Sequence, residues 1–195
     1  ALTTKLNAVN TMISVIGEAP VNTLGGTSVP VTVVQAETVL DETNRAIQSE
    51  GWHFNTAKDY TLEADSSNEI ELPENVLQVD AVDNTHDVVQ RGNKLFNRKD
   101  YTTTFTIDEI KVDVTFLLDF TELPEQTRRY ITLKASRMFS NRLVGSREIE
   151  ALIYRDEIMA KAAMEEAEGT NSDRTIFDNY DTASRIGINR RTDLA

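Results

Sequence analysis

Residues 123–168 read LPEQTRRYITLKASRMFSNRLVGSREIEALIYRDEIMAKAAMEEAE, and the fold turns on how this stretch breaks at Gly145-Ser146. Pro124 suits a first helical turn, where its missing N–H costs nothing. Glu125 places negative charge at the positive end of the helix dipole. Ile131, Ala135, Met138 and Arg142 recur at helical spacing with Phe139 and Leu143 beside them, which predicts a helix with one apolar face. Gly145 suits a C-terminal cap and Ser146 can cap the helix that follows. Ile149, Leu152, Ile153, Ala160, Met164 and Ala167 supply that second helix with its apolar face. A connection this short sets the two helices side by side and antiparallel, and the rest of the chain must pack around them.

Working outward, residues 3–16 predict a helix with Leu6, Val9, Ile13 and Ile16 on one face, Met12 flanking, and Thr3 or Thr4 as cap. Gly17 and Pro20 end it. Residues 18–30 hold Pro20, Gly25, Gly26 and Pro30 and form a loop. A second helix follows from about Thr32 to Glu50. Ala36, Val39, Leu40, Thr43 and Ile47 mark its buried side, and Gly51 closes it. From Trp52 to about Phe120 the pattern changes to strands. Ile70-Glu71-Leu72 and residues 79–82 alternate briefly, and Arg91-Gly92-Asn93-Lys94 is a turn between Val88-Val89 and Leu95-Phe96. Tyr101 to Phe105 has the threonine and aromatic content of a strand. Ile110, Val112, Val114 and Phe116 alternate with Lys111, Asp113 and Thr115, the clearest strand in the chain.

The predicted architecture is therefore α+β: a four-helix bundle formed by N-terminal (1–51) and C-terminal (123–168) helical pairs, an inserted antiparallel β region (52–122), and an extended C-terminal arm (169–195). Gly169 to Asp173 reads as the linker into that arm. Ile176, Phe177, Tyr180, Ile186 and Ile188 are too scattered to build a core, yet costly to leave in water. Two readings follow, a frayed terminus or an arm that wraps a neighbouring chain and orders on binding; the cost of leaving Phe177 and Tyr180 in water and the strand-like alternation of Ile186 and Ile188 argue for the arm.

The chain of 195 residues carries 32 acids against 20 bases, a net charge of −12. Fifteen of the acids and six of the bases fall between Trp52 and Glu122, so the β region holds a net of −9. This balance opposes gripping a phosphate backbone or an anionic membrane. There is no Cys, so no disulfide and no thiolate metal site. No apolar run approaches the roughly 20 residues of a membrane span, and residues 1–5 lack signal-peptide character. A soluble protein made in the cytoplasm is expected.

Catalytic chemistry finds no foothold. There is no phosphate-binding glycine motif and no nucleophile elbow. The only histidines, His53 and His86, stand far apart, and His53 between Trp52 and Phe54 is expected to pack. Asp65, Glu69 and Glu71 meet no calcium-loop spacing. Asp156-Glu157 and Glu165-Glu166 read as solvated helix faces, and with so many acids some pair will always suit a glycosidase mechanism. No residue is put forward as catalytic, cofactor-binding or metal-ligating.

Three blocks carry a family resemblance. The first is Ala8-Val9-Asn10 with Ile13 to Pro20, then Val21 and Leu24. The second is Asn44-Arg45, Ile47-Gln48-Ser49, Gly51-Trp52 and Phe54-Asn55. The third is Leu123-Pro124-Glu125, Lys134-Ala135-Ser136-Arg137, Phe139, Asn141-Arg142 and Gly145. In this order and at these intervals the chain resembles tail tubular protein A of short-tailed bacteriophages, the adaptor or head-to-tail joining protein; residues 59–106 depart from the family. The resemblance implies a homo-oligomeric ring, typically of twelve copies, between the portal protein and the tail nozzle (tubular protein B). Genomic DNA passes through such a ring without specific binding. It also implies a helical bundle with an antiparallel β portion, a C-terminal segment that reaches neighbouring subunits, and no required cofactor. The expectation is a structural virion protein of the tail rather than an enzyme. The rivals are a tail-associated cell-wall hydrolase and a soluble regulator that binds other proteins.

Overall fold

The computed structural model describes residues 1–26, 29–83 and 85–171; the proposed arm residues Ile176, Phe177, Tyr180, Ile186 and Ile188 lie outside them. The described residues form an α+β protein of four helices and two small antiparallel sheets: α1 Lys5–Val15, α2 Val31–Gln48, β1 Thr56–Glu63, β2 Val76–Ala81, β3 Val88–Arg91, β4 Lys94–Asn97, β5 Glu109–Phe116, α3 Glu125–Leu143 and α4 Arg147–Asn171. Among the described residues, no helix is long and apolar enough to cross a membrane.

Local chemistry sets the helix ends. The Thr4 hydroxyl accepts from the Asn7 N–H at 3.1 Å and starts α1, and Gly17 at φ +83° turns the chain away from it. Pro30 and Pro124 stand at the N-caps of α2 and α3, one position before the first helical turn. Gly145 at φ +65° and the Ser146 hydroxyl make the sharp corner between α3 and α4.

Helix α3 is the hub, packing against α1, α2 and α4. It is therefore buried over more of its circumference than one apolar stripe predicts. Tyr130, Ile131, Ala135 and Phe139 enter the core with Ala8, Val9, Met12 and Ile13 of α1, and with Val33, Ala36, Val39, Leu40 and Ile47 of α2. Another set of buried positions is polar: Thr127, Arg128, Thr132, Ser136 and Ser140. Thr132 and Ser136 each donate their hydroxyl to the carbonyl four residues earlier, at 2.7 Å, a local solution that lets small polar side chains sit at helix contacts. Arg142 and Leu143, expected on the buried face, are exposed; Arg142 instead pairs with Glu42 of α2 at 3.0 Å.

Arg128 is 5% exposed and is used as a multiple backbone donor. It donates to the carbonyls of Leu123 at 2.7 Å, Thr3 at 2.9 Å and Thr121. One guanidinium thus ties the N-terminal residues and the lead-in turn Phe120–Glu122 to α3.

The β region has its own core of Leu62, Ile70, Leu72, Val76, Val88, Leu95, Phe105, Ile110, Val112 and Val114. β5 is the central strand, antiparallel to β1 on one side and β2 on the other; β3 and β4 form a separate hairpin closed at Gly92. β1 was hidden from pattern reading because a bulge between Ala57 and Tyr60, with Asp59 at φ +55°, breaks its alternation. Residues 101–105 are not a strand. Tyr101 turns at φ +55°, the Thr102 and Thr104 hydroxyls pair at 2.9 Å, and only isolated bridges remain. Ile70-Glu71-Leu72 likewise contributes a bridge rather than a strand. Gly169 does not begin a linker: α4 runs on to Asn171, with Thr170 donating to the Glu166 carbonyl at 2.9 Å.

A polar junction joins the two cores. The buried Gln48 amide donates to the Leu118 carbonyl at 2.9 Å and accepts from the Leu118 N–H at 2.8 Å. Asn55 donates to the carbonyls of Gln48 and Phe116, each at 2.9 Å, and the Trp52 indole donates to Ile47 at 2.7 Å. The end of α2 is thereby fixed to the exit of β5.

Two substitutions test this reading of α3. The Ser140 hydroxyl is buried without a hydrogen-bond partner, so Ser140→Ala should be neutral or stabilising by up to about 1 kcal/mol. Arg128→Lys should destabilise by about 2 kcal/mol, because an ammonium cannot satisfy the same spread of carbonyls. Urea titrations followed by the fluorescence of Trp52, the single tryptophan, would show it; coincident midpoints for both variants and the parent would contradict the account.

Candidate functional site

Among the described residues no group of three or more His, Asp or Glu is placed to hold a metal ion. His53 is exposed rather than packed between Trp52 and Phe54, because the turn at His53–Asn55 directs it outward; its backbone N–H donates to Glu168. His86 sits in a different region, with its Nδ1 2.9 Å from the Thr85 hydroxyl. Asp65 shapes a turn by accepting from the N–H groups of Ser67 and Glu69 at 2.8 and 2.9 Å. Glu69 pairs with Lys94 and accepts from Thr103, and the Lys94 hydrogen bond holds its carboxyl below the ordinary value.

One acidic pair departs from the expectation of solvated faces. Glu165 and Glu166 are exposed, as is Asp156, but Glu157 is buried. Its carboxylate accepts from Arg137 Nε at 2.5 Å and from Nη2 at 3.2 Å, a two-pronged link between α4 and α3. That hydrogen bond raises the Arg137 pKa further. The sequence signal was available: Glu157 shares a helical face with Ile153, Ala160 and Met164.

The chemistry on offer is that of surfaces, and two of them stand out. None of the fifteen acids of the β region is buried. Among these acids, ion pairs neutralise Glu69 through Lys94 and Asp87 through Arg98. Two like-charged pairs stand opposite one another between the central strand β5 and its neighbours, Asp113 with Asp80 of β2 and Glu109 with Glu63 of β1, an arrangement that is destabilising. Asp80 and Asp113 also line a shallow groove with Thr56, Gln78, Gln90 and Thr115. The sheet thus shows an acidic outer face.

The second surface is apolar and lies on α4. Leu152, expected in the core, is 71% exposed, and Tyr154, Ile158 and Met159 are exposed with it. Ile153, Ala160 and Met164 do face inward as expected, while Ile149 and Ala167 are half-buried. Leu152 fails because α4 packs chiefly on α3, so only one stripe of it, Ile153, Glu157, Ala160 and Met164, is buried.

The N-terminal residues are held by Glu125, which accepts from the Thr3 N–H at 2.9 Å and from the Thr3 hydroxyl. The Thr3 hydroxyl bond, with smaller help from the Thr3 N–H and the Arg128 charge, holds the Glu125 carboxyl below its ordinary 4.5. A depressed folded-state pKa adds stability that is fully present above pH 4.5 and is lost as pH falls through the lower folded value. Glu125→Gln should therefore melt below the parent at pH 7, with the gap closing as pH drops below 4.5. Circular dichroism melts across that range check this, and a gap independent of pH would refute it.

Compared with known families, residues 6–174 match the profile described as Tube: Tail tubular protein. No curated protein matches the chain.

Proposed function

The chain belongs to the tail tubular protein family, structural proteins of phage tails, and from that premise we propose that it is a ring-forming adaptor joining the portal to the tail nozzle. The observation that carries this reading is the family match itself. It spans all four helices and the whole β region, so scaffold and insertion belong to one tail component. The four helices act as a single bundle with α3 at its centre, and their outer faces are the surface offered to the portal. The β region is the part offered to the nozzle. The protein works through contacts between proteins; it needs no cofactor and carries out no reaction.

The acidic sheet fits a protein that surrounds moving DNA. Phosphates passing an acidic wall are repelled rather than held, and transport stays fast. Neutral or basic replacements should create sticking points. Asp80→Lys together with Asp113→Lys should slow genome release from otherwise complete particles, and release at the parental rate would remove the acidic face from the channel.

The arm residues Ile176, Phe177, Tyr180, Ile186 and Ile188 complete the reading as anchors onto adjacent copies. Electron microscopy of the purified chain mixed with its portal tests the whole proposal. A ring at one end of the portal with matching rotational symmetry, twelve copies by family resemblance, is the expected result. A chain that ignores the portal and stays monomeric overturns it. In the same experiment a chain lacking residues 173–195 should remain folded and fail to complete rings; complete rings would dispose of the arm.

A further inference from the structure

The apolar surface of α4 has the composition of a helix covered on more than one side. Between Ala151 and Met164, ten of fourteen residues are apolar, yet within the described chain only the stripe Ile153, Glu157, Ala160 and Met164 is buried. A helix apolar around most of its circumference belongs inside an assembly. Leu152 and Met159 share one exposed flank of α4, and Tyr154 and Ile158 share another. The charged residues of this stretch are Arg155, Asp156, Glu157 and Lys161, two of each sign. In a chain of net charge −12, this is a rare neutral surface.

A second neutral surface lies elsewhere. A groove of about 320 Å³ between α2 and α3 is lined by Gln35, Thr38, Val39, Phe139, Arg142 and Leu143. Arg142 is neutralised by Glu42 at 3.0 Å. Val31 and Val34, both exposed, continue the same side of α2, and Leu143 and Val144 extend the apolar rim past the end of α3.

We propose that the outer side of α4 in one copy seats in the α2–α3 groove of the next, with Leu152 and Met159 as its leading side chains. The inference rests on the ring reading above and names the surface that makes the ring. Copies of an acidic chain repel unless they meet where charge is absent, and these two surfaces satisfy that condition together. They are also different surfaces. A contact between unlike patches is head-to-tail and leaves the joined pair with one free ridge and one free groove, so it propagates from copy to copy and closes into a ring when the rotation per copy divides a full turn. Ridge against ridge would stop at a two-fold dimer.

The test uses the full chain, whose lack of cysteine makes single thiols informative. Leu152→Glu with Met159→Glu should melt like the parent, since both side chains are exposed, and should assemble at least a hundredfold more weakly because two carboxylates would be buried unpaired. Separately, chains carrying Gln35→Cys and Met159→Cys are mixed and oxidised. A disulfide between the two variants, at least tenfold over the disulfides either forms alone, is the expected product. Parental assembly by the double glutamate variant would overturn the proposal. So would a dominant bond between two Met159→Cys chains, which would mean a two-fold contact, or parental assembly with neither thiol cross-linking, which would leave the surface to the chain's own residues 172–195. If the unmodified chain fails to assemble on portals, the adaptor reading fails with it; if the unmodified chain assembles and the variants behave otherwise than expected, only this surface is refuted.

Discussion

Everything in the helical part depends on α3 being buried on several sides at once. A helix with neighbours on one flank needs only an apolar stripe; a hub must also meet its other neighbours without leaving polar groups stranded. The chain meets this constraint with two kinds of residue. Tyr130, Ile131, Ala135 and Phe139 fill the core shared with α1 and α2. Thr132 and Ser136 occupy buried positions with hydroxyls folded back onto the helix's own carbonyls. Arg128 and Arg137 then spend their donors on backbone carbonyls and on Glu157, so even the cations of the hub are structural. The acidic excess is displaced outward, chiefly onto the β region.

The two cores are kept separate yet rigidly referenced to each other. Gln48 and Asn55 are side-chain amides acting as surrogate backbone, each matching a donor or carbonyl that strand β5 leaves unpaired as it exits its sheet. Amides suit this position because they satisfy directional partners without introducing charge at a buried seam. The end of α2 and the exit of β5 are thereby held in a fixed relation.

Much of this was legible in the residues. The helix–turn–helix at Gly145-Ser146, the caps at Thr4 and Gly17, the Arg91–Lys94 turn and the strand at Ile110–Phe116 follow from local chemistry, and the structure bears them out. What escaped was set by tertiary context. The bulge in β1 breaks the period on which strand reading relies. Thr102 and Thr104 satisfy their surroundings through side chains, so a strand-like composition produced a turn-rich loop. Leu152 looked buried because pattern reading cannot say whether the covering surface belongs to the same chain. Glu157 looked solvated because its partner lies on another helix. For the functional surfaces, composition pointed to the acidic region, whereas the bare side of α4 became visible only when its neighbours were placed.

The position of the β region between the two helical pairs has a consequence during synthesis. α1 and α2 close upon α3, which leaves the ribosome only after the entire insertion has been made. At translation rates of about 5–20 residues per second, the apolar faces of the first pair wait several seconds for their cover. Within that interval the part of the nascent chain growing beside them is the most negatively charged of the molecule. Nascent chains on neighbouring ribosomes therefore repel one another through the insertion while their first helices are still adhesive. The acidic sheet acts as a solubilising tether for its own unfinished scaffold, before it acquires any role in the finished particle.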